Sequence, residues 1–238
     1  MEKSKTRKRF LEWGDLVLPW IVEIILLAAS FQLAAASGLG FFASFLIFCT
    51  SLGVLTLVAL KIIRMVAPLK SGVFSISEKS RMFSVWNLYS FVLGTNLSLF
   101  YMNNLLPMIL RKLFYQLLGA RLGKGVLGIA GTIFDPSLVT LEEDVFIGYE
   151  ANLSPHLIAV VASKKVLILG RIEIKKGVMI GGRTLILPGV TIGENSMVNA
   201  LSLVPMNTHI PANEIWGGNP AKKIASLTSK ESQDQPSA

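Results

Sequence analysis

The sequence predicts an N-terminal α-helical membrane region followed by an all-β domain of stacked triangular coils. The first observation is composition. Of 238 residues, 52% are hydrophobic and 16% charged, and the mean hydropathy of +0.56 is too high for an ordinary soluble domain. The second is distribution, because the apolar residues crowd the first half of the chain. The third is a six-residue aliphatic period in the second half.

Two apolar runs lie within the region 15–64. Residues 16–36 and 41–63 are each long enough to cross a bilayer, which takes about 20 residues, and the SGLG stretch between them is typical of a turn. Basic residues lie in the flank 1–14 and at the end of the second run (Lys3, Lys5, Arg7, Lys8, Arg9, Lys61, Arg64 and Lys70). This distribution predicts a transmembrane helical hairpin with both ends in the cytoplasm. A cleaved signal peptide fits less well, because a second span follows.

A cytoplasmic loop and a less apolar segment are predicted across residues 65–118. Residues 82–110 are too few for two crossings and have basic residues at both ends, so we expect re-entrant or interfacial helices. In the first run, Glu23 is an acid inside the predicted span. Intramembrane acids are costly and often functional, but we expect Glu23 to pair with a polar neighbour or to face another subunit.

The second half carries an aliphatic residue at every sixth position, seven times in succession: Ile168, Ile174, Ile180, Ile186, Ile192, Val198 and Val204. A helix has a period of 3.6 and a strand a period of 2, so neither explains this spacing. A triangular coil does, because each side is a short strand with one inward aliphatic residue. Stacked coils then bury a continuous column that one coil could not bury alone.

This repeat is interrupted within residues 152–170. Leu141, Ile147 and Leu153 keep the six-residue period in a different phase, and the 21 residues from Ile147 to Ile168 are three more than a multiple of six. We therefore expect the chain to bulge out of the coil here, with His156 on the bulge. Loops that leave a rigid scaffold tend to carry function, which makes His156 a candidate catalytic residue.

Several stretches resemble a known family, the hexapeptide-repeat acyltransferases. They are VMIGGRTLILPGVTIG (178–193) and IWGGNPAKKI (215–224), while LGRIEIKKGVMIGG (169–182) with NALSLVP (199–205) is similar to the membrane-linked repeat domains of polylysine-synthetase-type proteins. The resemblance covers residues 117–224. It implies a left-handed parallel β-helix over 119–210 and a coenzyme A-proximal segment over 211–224. It also implies a homotrimer with active sites between subunits, and an acyl-coenzyme A donor, with acetyl the expected group.

In that family a histidine on a loop leaving the coil is the general base, and His156 in LSPHL matches its position. Acyl transfer from a thioester needs a base for the proton of the attacking hydroxyl or amine. Imidazole suits this, because its ordinary pKa of about 6.5 leaves it largely unprotonated at cellular pH. Candidates for orienting the ring are Glu143, Asp144, Glu150, Glu173 or a backbone carbonyl. Candidate substrate-binding residues are Asn152, Ser154 and Glu173. His209 is expected to be a corner or capping residue.

Coenzyme A is expected to lie along the coil, with its pantetheine arm hydrogen-bonded to backbone at small residues. The candidates for this cofactor contact are Gly182, Ala200, Ser202 and Gly218. Lys222 and Lys223 are candidates for phosphate, since an ammonium group acts as a point charge; the alternative is a solvated basic end. Where many relatives carry a lysine after the last hexads, this chain has Met206, which departs from the family pattern.

Other classes of protein fit less well. A serine nucleophile at Ser154 lacks a strained strand-to-helix elbow, so direct transfer is expected. A zinc site of the carbonic-anhydrase type needs three histidines and the chain has two, so no metal is expected. No aromatic-interleaved basic stripe indicates nucleic-acid binding. The single Cys49 cannot form an intrachain disulfide. Residues 225–238 are polar and are expected to form a disordered tail.

The sequence therefore predicts an integral membrane O- or N-acyltransferase whose catalytic domain faces the cytoplasm. The anchor suggests a membrane-bound acceptor, such as a lipid, a lipid-linked sugar or the product of a membrane synthetase. The main alternative is a non-catalytic trimeric scaffold that organises membrane partners, with His156 incidental. A small transporter would leave the repeat unexplained.

Overall fold

A computed structural model describes residues 2–76, 80–101, 106–126 and 128–227 of the chain. These residues form two compact units. The first unit contains the described residues up to 101 together with 158–167, and the second contains the described residues of 106–157 and 168–227.

Three long helices make up most of the first unit. They are α1 (Glu2–Ala36), α2 (Phe41–Val66) and α3 (Arg81–Tyr101), with the short strand β1 (Gly72–Ser75) between α2 and α3. Two helical stretches, Val17–Ala36 and Phe41–Val66, are long and apolar enough to cross a membrane by length and composition. They coincide with the two predicted runs. The turn between them includes Gly38, whose φ of +63° is a conformation that glycine adopts at little cost.

The helix α3 packs against both α1 and α2. Its buried face includes Tyr89, Val92 and Leu97, and the rings of Trp20 and Phe91 meet edge to face with their centroids 5.0 Å apart. The segment 82–110 is thus helical up to Tyr101 and again from Met108 in the second unit, with residues 102–105 outside the described part of the chain. Its re-entrant or interfacial placement stays a prediction.

The acid inside the first predicted span has a polar partner. Glu23 is only 4% exposed, and its Oε2 accepts a hydrogen bond of 2.9 Å from Nδ2 of Asn96 on α3. This is the polar-neighbour interpretation of Glu23. The bond joins two of the three packed helices, because α1 carries the acceptor and α3 the donor.

The second unit begins with a short helix, α4 (Met108–Leu117), and continues as a series of very short strands, interrupted by the longer β7 and β8, whose residues 158–167 belong to the first unit. The strands are β2 (Arg121–Leu122), β3 (Thr132–Ile133), β4 (Val139–Leu141), β5 (Phe146–Ile147), β6 (Asn152–Leu153), β7 (His156–Val161), β8 (Lys164–Leu169), β9 (Ile172–Ile174), β10 (Met179–Ile180), β11 (Leu185–Ile186), β12 (Thr191–Ile192), β13 (Met197–Val198), β14 (Leu203–Val204), β15 (His209–Ile210), β16 (Glu214–Gly217) and β17 (Lys222–Ser226). A 3₁₀ turn, Pro136–Leu138, lies between β3 and β4.

Successive strands of the second unit fall on three parallel sheets, which we call faces. Face 1 has the order β15-β12-β9-β4-β2, face 2 the order β16-β13-β10-β5, and face 3 the order β14-β11-β6-β3. Ile180 pairs with Val198 and Ile186 with Val204, so one coil takes 18 residues, or three hexads. Three strands in each 18 residues agree with the predicted period of six. We call the whole stack in this part of the second unit the coil, and each 18-residue turn of the stack one coil.

The hexad positions supply the interior of the coil. Ile174, Ile180, Ile186, Ile192, Val198, Val204 and Ile210 are all fully buried. Each strand exposes one residue and buries the next, as alternation along an extended chain requires. Burying one such side chain contributes about 1.5–3 kcal/mol, so the column is the main source of stability.

The interruption of the repeat is larger than the sequence indicated, and Ile168 was wrongly placed in the hexad series. Leu153 lies on face 3 and Ile174 on face 1, which is the next face along the chain. The regular repeat would use six residues for this step, whereas the chain uses 21, so fifteen residues are inserted. The insertion is a hairpin of β7 and β8, and Ile168 lies in β8. It matched the period because β8 is itself apolar, with Val166, Leu167 and Leu169 also buried.

The hairpin also contributes to the first unit. Its strands form a three-stranded sheet in the order β1-β8-β7, and the amide of Ile76 donates to the carbonyl of Lys165 at 3.0 Å. At the end of the coil, β17 runs antiparallel to β16 and reaches Ser226. The expected tail therefore begins in a strand at residues 225–226, and its residues 228–238 lie outside the described part of the chain.

Candidate functional site

His156 lies where the chain leaves the coil. It follows β6 of face 3 by three residues and begins β7. The amide of Gly170 donates to the carbonyl of Pro155 at 2.8 Å, which closes the base of the hairpin directly beside the histidine. The His156 side chain is 27% exposed, so the ring lies at the surface of the coil and not among the aliphatic residues of its interior.

The partner of this ring is Asp135, an acid that the sequence analysis did not select. Nδ1 of His156 and Oδ2 of Asp135 form a hydrogen bond, and the Asp135 side chain is only 3% exposed. Stacking brings them together, because Ile133 pairs with Leu153 on face 3 and each side chain comes shortly after its strand. The ring of Phe134 also meets the imidazole edge to face, with 5.9 Å between centroids.

The local backbone holds Asp135 in this position. Its φ of +42° lies in the left-handed region, where aspartate is one of the few residues that are tolerated. The 3₁₀ turn Pro136–Leu138 follows immediately, and the amide of Leu138 donates to the carbonyl of Asp135 at 2.8 Å. The carboxylate is therefore fixed by a short turn that lies one coil away from the hairpin.

This bond determines the chemistry available to the imidazole. A carboxylate is an acceptor, so Nδ1 of His156 carries the proton in the bond to Asp135. In a neutral ring, Nε2 then has the lone pair. The arrangement can accept a proton at Nε2, and the carboxylate stabilises the imidazolium that forms.

None of the four acids considered as orienters contacts His156. Glu143 pairs with Lys176 at 3.4 Å, Glu150 with Arg183 at 2.7 Å, and Glu173 lies 3.9 Å from Nζ of Lys175. Asp144 lies beside Gly125. The reason is their place in the coil. Glu173 is on face 1, Glu143 and Asp144 follow face 1, and Glu150 follows face 2, whereas the histidine follows face 3. The hydrogen bond from Arg183 lowers the pKa of Glu150 below its usual value.

Two of the proposed substrate contacts have local roles beside the histidine. The hydroxyl of Ser154 donates to the carbonyl of His156 at 2.9 Å, and the amide of the Asn152 side chain donates to the carbonyl of Glu150 at 3.2 Å. The third, Glu173, lies on a different face, as given above. His209 is an exposed residue of β15, the last strand of face 1, so of the two expected roles it has the position of a capping residue and not of a corner residue.

The four small residues proposed for coenzyme A come together in one column. They occupy the corner between faces 2 and 3 in successive coils, where the amide of Leu201 bonds the carbonyl of Gly182 at 2.9 Å. The amide of Gly218 donates to the hydroxyl of Ser202 at 3.1 Å, and Ala200 is exposed between them. The Ser202 side chain is only 2% exposed and bonds within the coil, so what the column presents outward is backbone and small side chains.

The two lysines after this column differ. Lys223 pairs with Glu214 through a contact of 2.6 Å, whereas Lys222 is an exposed residue of β17. Met206 lies in the loop after face 3, in the same corner series as His156.

A shift in the repeat could have pointed to Asp135. Ile133 on face 3 and Leu141 on face 1 are eight residues apart, where six would complete the side. The two additional residues fall within FDPSL, which precedes the larger insertion by one coil. The aliphatic spacing alone therefore indicates that two consecutive corners on one edge of the coil are irregular, and Asp135 lies in the first of them.

Known proteins resemble the chain over about half of its length or less. One relative is the delta-poly-L-ornithine synthetase of Acinetobacter baumannii, 32% identical over 118 residues, which are 50% of this chain and 9% of the synthetase. Another is the mitochondrial gamma carbonic anhydrase 2 of Arabidopsis thaliana, 55% identical over 38 residues, 16% of this chain and 14% of that protein. No family model matches the chain.

The coil is similar to parts of proteins from the hexapeptide-repeat family. A solved structure similar to it is a hexapeptide-repeat acetyltransferase of Vibrio cholerae in complex with acetyl coenzyme A, 28% identical, with a TM-score of 0.43, covering 47% of this chain and 62% of that one. The chain spans no more than about a seventh of the curated relatives just described.

The two histidines of the chain lie on different faces of the coil. His156 follows face 3, whereas His209 lies on face 1. Among the residues that the structure describes, no three His, Cys, Asp or Glu side chains are grouped so that they could hold a metal ion.

Proposed function

We propose that this protein is a membrane-anchored acyltransferase, with His156 as the general base and acyl-coenzyme A, most simply acetyl-coenzyme A, as the donor. The observation that carries the proposal is the bond between His156 and the buried Asp135 at the point where a hairpin leaves the coil. A buried carboxylate on one imidazole nitrogen is the arrangement that prepares the other nitrogen to accept a proton. The coil is proposed to be the left-handed parallel β-helix of hexapeptide-repeat acyltransferases.

The reaction follows from these groups. An acceptor hydroxyl or amine attacks the thioester carbonyl while its proton moves to Nε2 of His156. The new C–O or C–N bond forms, and the C–S bond breaks as the tetrahedral intermediate collapses. The imidazolium then returns the proton to the departing coenzyme A thiolate, so the base is regenerated. Proton transfer of this kind typically contributes 10²–10⁴-fold to the rate.

The donor is proposed to lie along the corner column of Gly182, Ala200, Ser202 and Gly218. This corner follows face 2 and His156 follows face 3, so the column is proposed to serve the His156 of a neighbouring subunit. Backbone amides and carbonyls at small residues allow a pantetheine arm to approach closely, since no large side chain intervenes. Lys222, exposed after the column, is proposed to meet a phosphate. Lys223 is already paired with Glu214, so its contribution to phosphate binding would require that this pair open.

A homotrimer is proposed because face 2 exposes apolar side chains in register. Phe146 pairs with Met179 across the sheet, and they are 44% and 50% exposed. Apolar residues adjacent on one flat face are typical of a subunit interface. The apolar helices are proposed to anchor the trimer, with the hexapeptide-repeat domain in the cytoplasm. The acceptor is then a membrane-associated hydroxyl or amine, such as a lipid, a lipid-linked sugar or the product of a membrane synthetase.

The two histidines of the chain allow a matched test. Full-length protein in detergent would be incubated with acetyl-coenzyme A and a panel of acceptors, including ornithine- and lysine-containing peptides and lipid-linked sugars. Thiol release and the acylated product are measured. His156→Ala is expected to lower turnover by about 10²–10⁴-fold. His209→Ala, which alters the exposed histidine of face 1, is expected to retain it. Wild-type turnover by His156→Ala with the oligomer intact would instead favour the scaffold interpretation.

A further inference from the structure

A cavity in the first unit lies where the predicted membrane helices end. It has a volume of about 460 Å³ and is lined by the last turn of α2, the strand β1 and the first turns of α3. This is within the range of about 300–1,000 Å³ that is usual for small-molecule sites. None of its lining residues belongs to the hexapeptide-repeat domain or to the His156 site.

The chemistry of the lining changes from apolar to basic. Val66, Phe74, Met82 and Val85 give it an apolar wall, and Lys70 and Arg81 are exposed cations among the same lining residues. No acidic side chain is among the described residues that line it. A ligand that fits this lining has an apolar body and an anionic head. A guanidinium binds a phosphate in a bidentate manner and a lysine ammonium as a point charge.

We propose that this cavity binds one molecule of an anionic phospholipid, with its phosphodiester head between Lys70 and Arg81 and part of an acyl chain against Phe74, Met82 and Val85. The proposal rests on the membrane placement of α1 and α2 that is proposed above, and not on acyl transfer. The cations follow one apolar helix and begin another, which is where the head groups of a bilayer lie if those helices are inserted. A cytoplasmic leaflet is rich in such lipids.

Lipid retention by the full-length protein tests this directly. Protein reconstituted into vesicles of phosphatidylcholine with 20 mol% phosphatidylglycerol, a composition chosen on the order of natural anionic leaflets, is extracted in mild detergent. Native mass spectrometry then counts the lipid that stays bound. We expect the wild type to retain one phosphatidylglycerol in preference to phosphatidylcholine. Lys70→Gln/Arg81→Gln should weaken retention by about tenfold, since two charge-assisted contacts are lost.

A matched variant separates the site from general surface charge. Lys61→Gln/Lys165→Gln removes the same charge from exposed residues of the first unit that do not line the cavity. It is expected to retain the lipid as the wild type does. Equal losses in the two double variants would overturn the proposal, because any surface cation would then serve.

A third variant tests the apolar wall. Val85→Trp keeps both cations and fills the cavity, so phosphatidylglycerol retention should fall as it does in Lys70→Gln/Arg81→Gln. Retention unchanged in Val85→Trp, or release of the lipid by millimolar inorganic phosphate alone, would overturn the proposal in favour of a simple anion site. Protein that fails to insert into vesicles would reject the anchor as well, whereas inserted protein without lipid preference would reject this site only.

Discussion

Asp135 and His156 are 21 residues apart in the sequence and form a hydrogen bond through Oδ2 and Nδ1. Both follow face 3, in consecutive coils, and each sits in a stretch that is longer than the repeat requires. One irregular corner supplies the buried carboxylate and the next supplies the imidazole. The stacking of consecutive coils therefore brings two insertions that are distant in the sequence into contact.

The first prediction concerns the carboxylate. Asp135→Asn should preserve the fold, because asparagine also tolerates the left-handed backbone found here. The amide can donate as well as accept, so it no longer fixes the Nδ1–H tautomer of His156. We expect kcat for acyl transfer to fall by about 10–10³-fold, with KM for acetyl-coenzyme A unchanged. Steady-state kinetics of the purified variant give both values.

The control for this prediction is Glu150→Gln. This acid is one of the residues that sequence reasoning considered as an orienter, and it pairs with Arg183 instead of the histidine. Its loss should leave kcat within about twofold of the wild type, because the median contribution of an exposed ion pair is small. A comparable drop in kcat in both variants would contradict the assignment of Asp135.

The aliphatic period was sufficient to predict the coil but not its irregular corners. From Ile174 onward each hexad residue is buried as expected, since a single inward position per side is a strong constraint. Ile168 was misplaced because the hairpin strand β8 is as apolar as the coil. The size of the insertion depends on where the chain rejoins face 1, and that is decided by the pairing of Ile174 with Leu141, which lies 33 residues earlier.

The sequence pointed clearly to the histidine, whereas the signal for its carboxylate was weak and was missed. His156 lies within the obvious interruption and matches a family position. Asp135 lies in the first coil, where Gly131 and the 3₁₀ turn obscure the period, and its role appears only once Ile133 is stacked against Leu153. The four acids that were considered as orienters lie closer to His156 in the sequence than Asp135 does, but they lie on or after other faces of the coil. The strand register of the coil, and not closeness in the sequence, therefore determines which acid is the partner of His156.

The second prediction concerns the packed helices. Replacing Asn96 by Leu removes the donor to Glu23, which is 4% exposed, and leaves a buried carboxylate without this partner. We expect a loss of stability of about 1–3 kcal/mol, the usual cost of leaving a buried hydrogen-bonding group without its partner. Thermal unfolding of the full-length protein in detergent measures it.

Glu23→Gln is the matched variant for that experiment. Its amide oxygen can still accept from Nδ2 of Asn96, and no buried charge remains, so stability should change by less than about 1 kcal/mol. If Glu23→Gln were as damaging as Asn96→Leu, the charge of Glu23 itself would have to serve a function that this hydrogen bond does not explain.

The third prediction tests close packing between coils. A Cβ added at Gly148 would lie 2.6 Å from the backbone nitrogen of Gly182 and 2.8 Å from the carbonyl oxygen of Ile180. Because backbone atoms cannot move aside as a flexible side chain can, Gly148→Ala should destabilise the coil by about 1–3 kcal/mol. Denaturant unfolding followed by circular dichroism gives the value.

Gly53→Ala provides the contrast. Gly53 lies within α2, and a Cβ there would meet nothing within 4 Å. Alanine is favoured over glycine inside a helix by about 0.5–1 kcal/mol, so this variant should be neutral or slightly more stable. The two substitutions add the same methyl group, and an equal destabilisation by both would refute the argument from coil spacing.

The fourth prediction is a pH dependence at the end of the coil. A hydrogen bond from Lys223, and then one of 2.7 Å from the indole of Trp216, lower the pKa of Glu214 below its usual value. A carboxyl whose pKa is lower in the folded state contributes stability above its unfolded-state pKa and loses that contribution as the pH falls through the folded value. The pairing of β16 with β17 should therefore hold at neutral pH and loosen only under acid conditions. Tryptophan fluorescence of the wild type, less that of Glu214→Gln, should show a transition with its midpoint below pH 4.5, the usual pKa of the group. A midpoint at or above that value would mean that the bonds to Lys223 and Trp216 do not persist in solution.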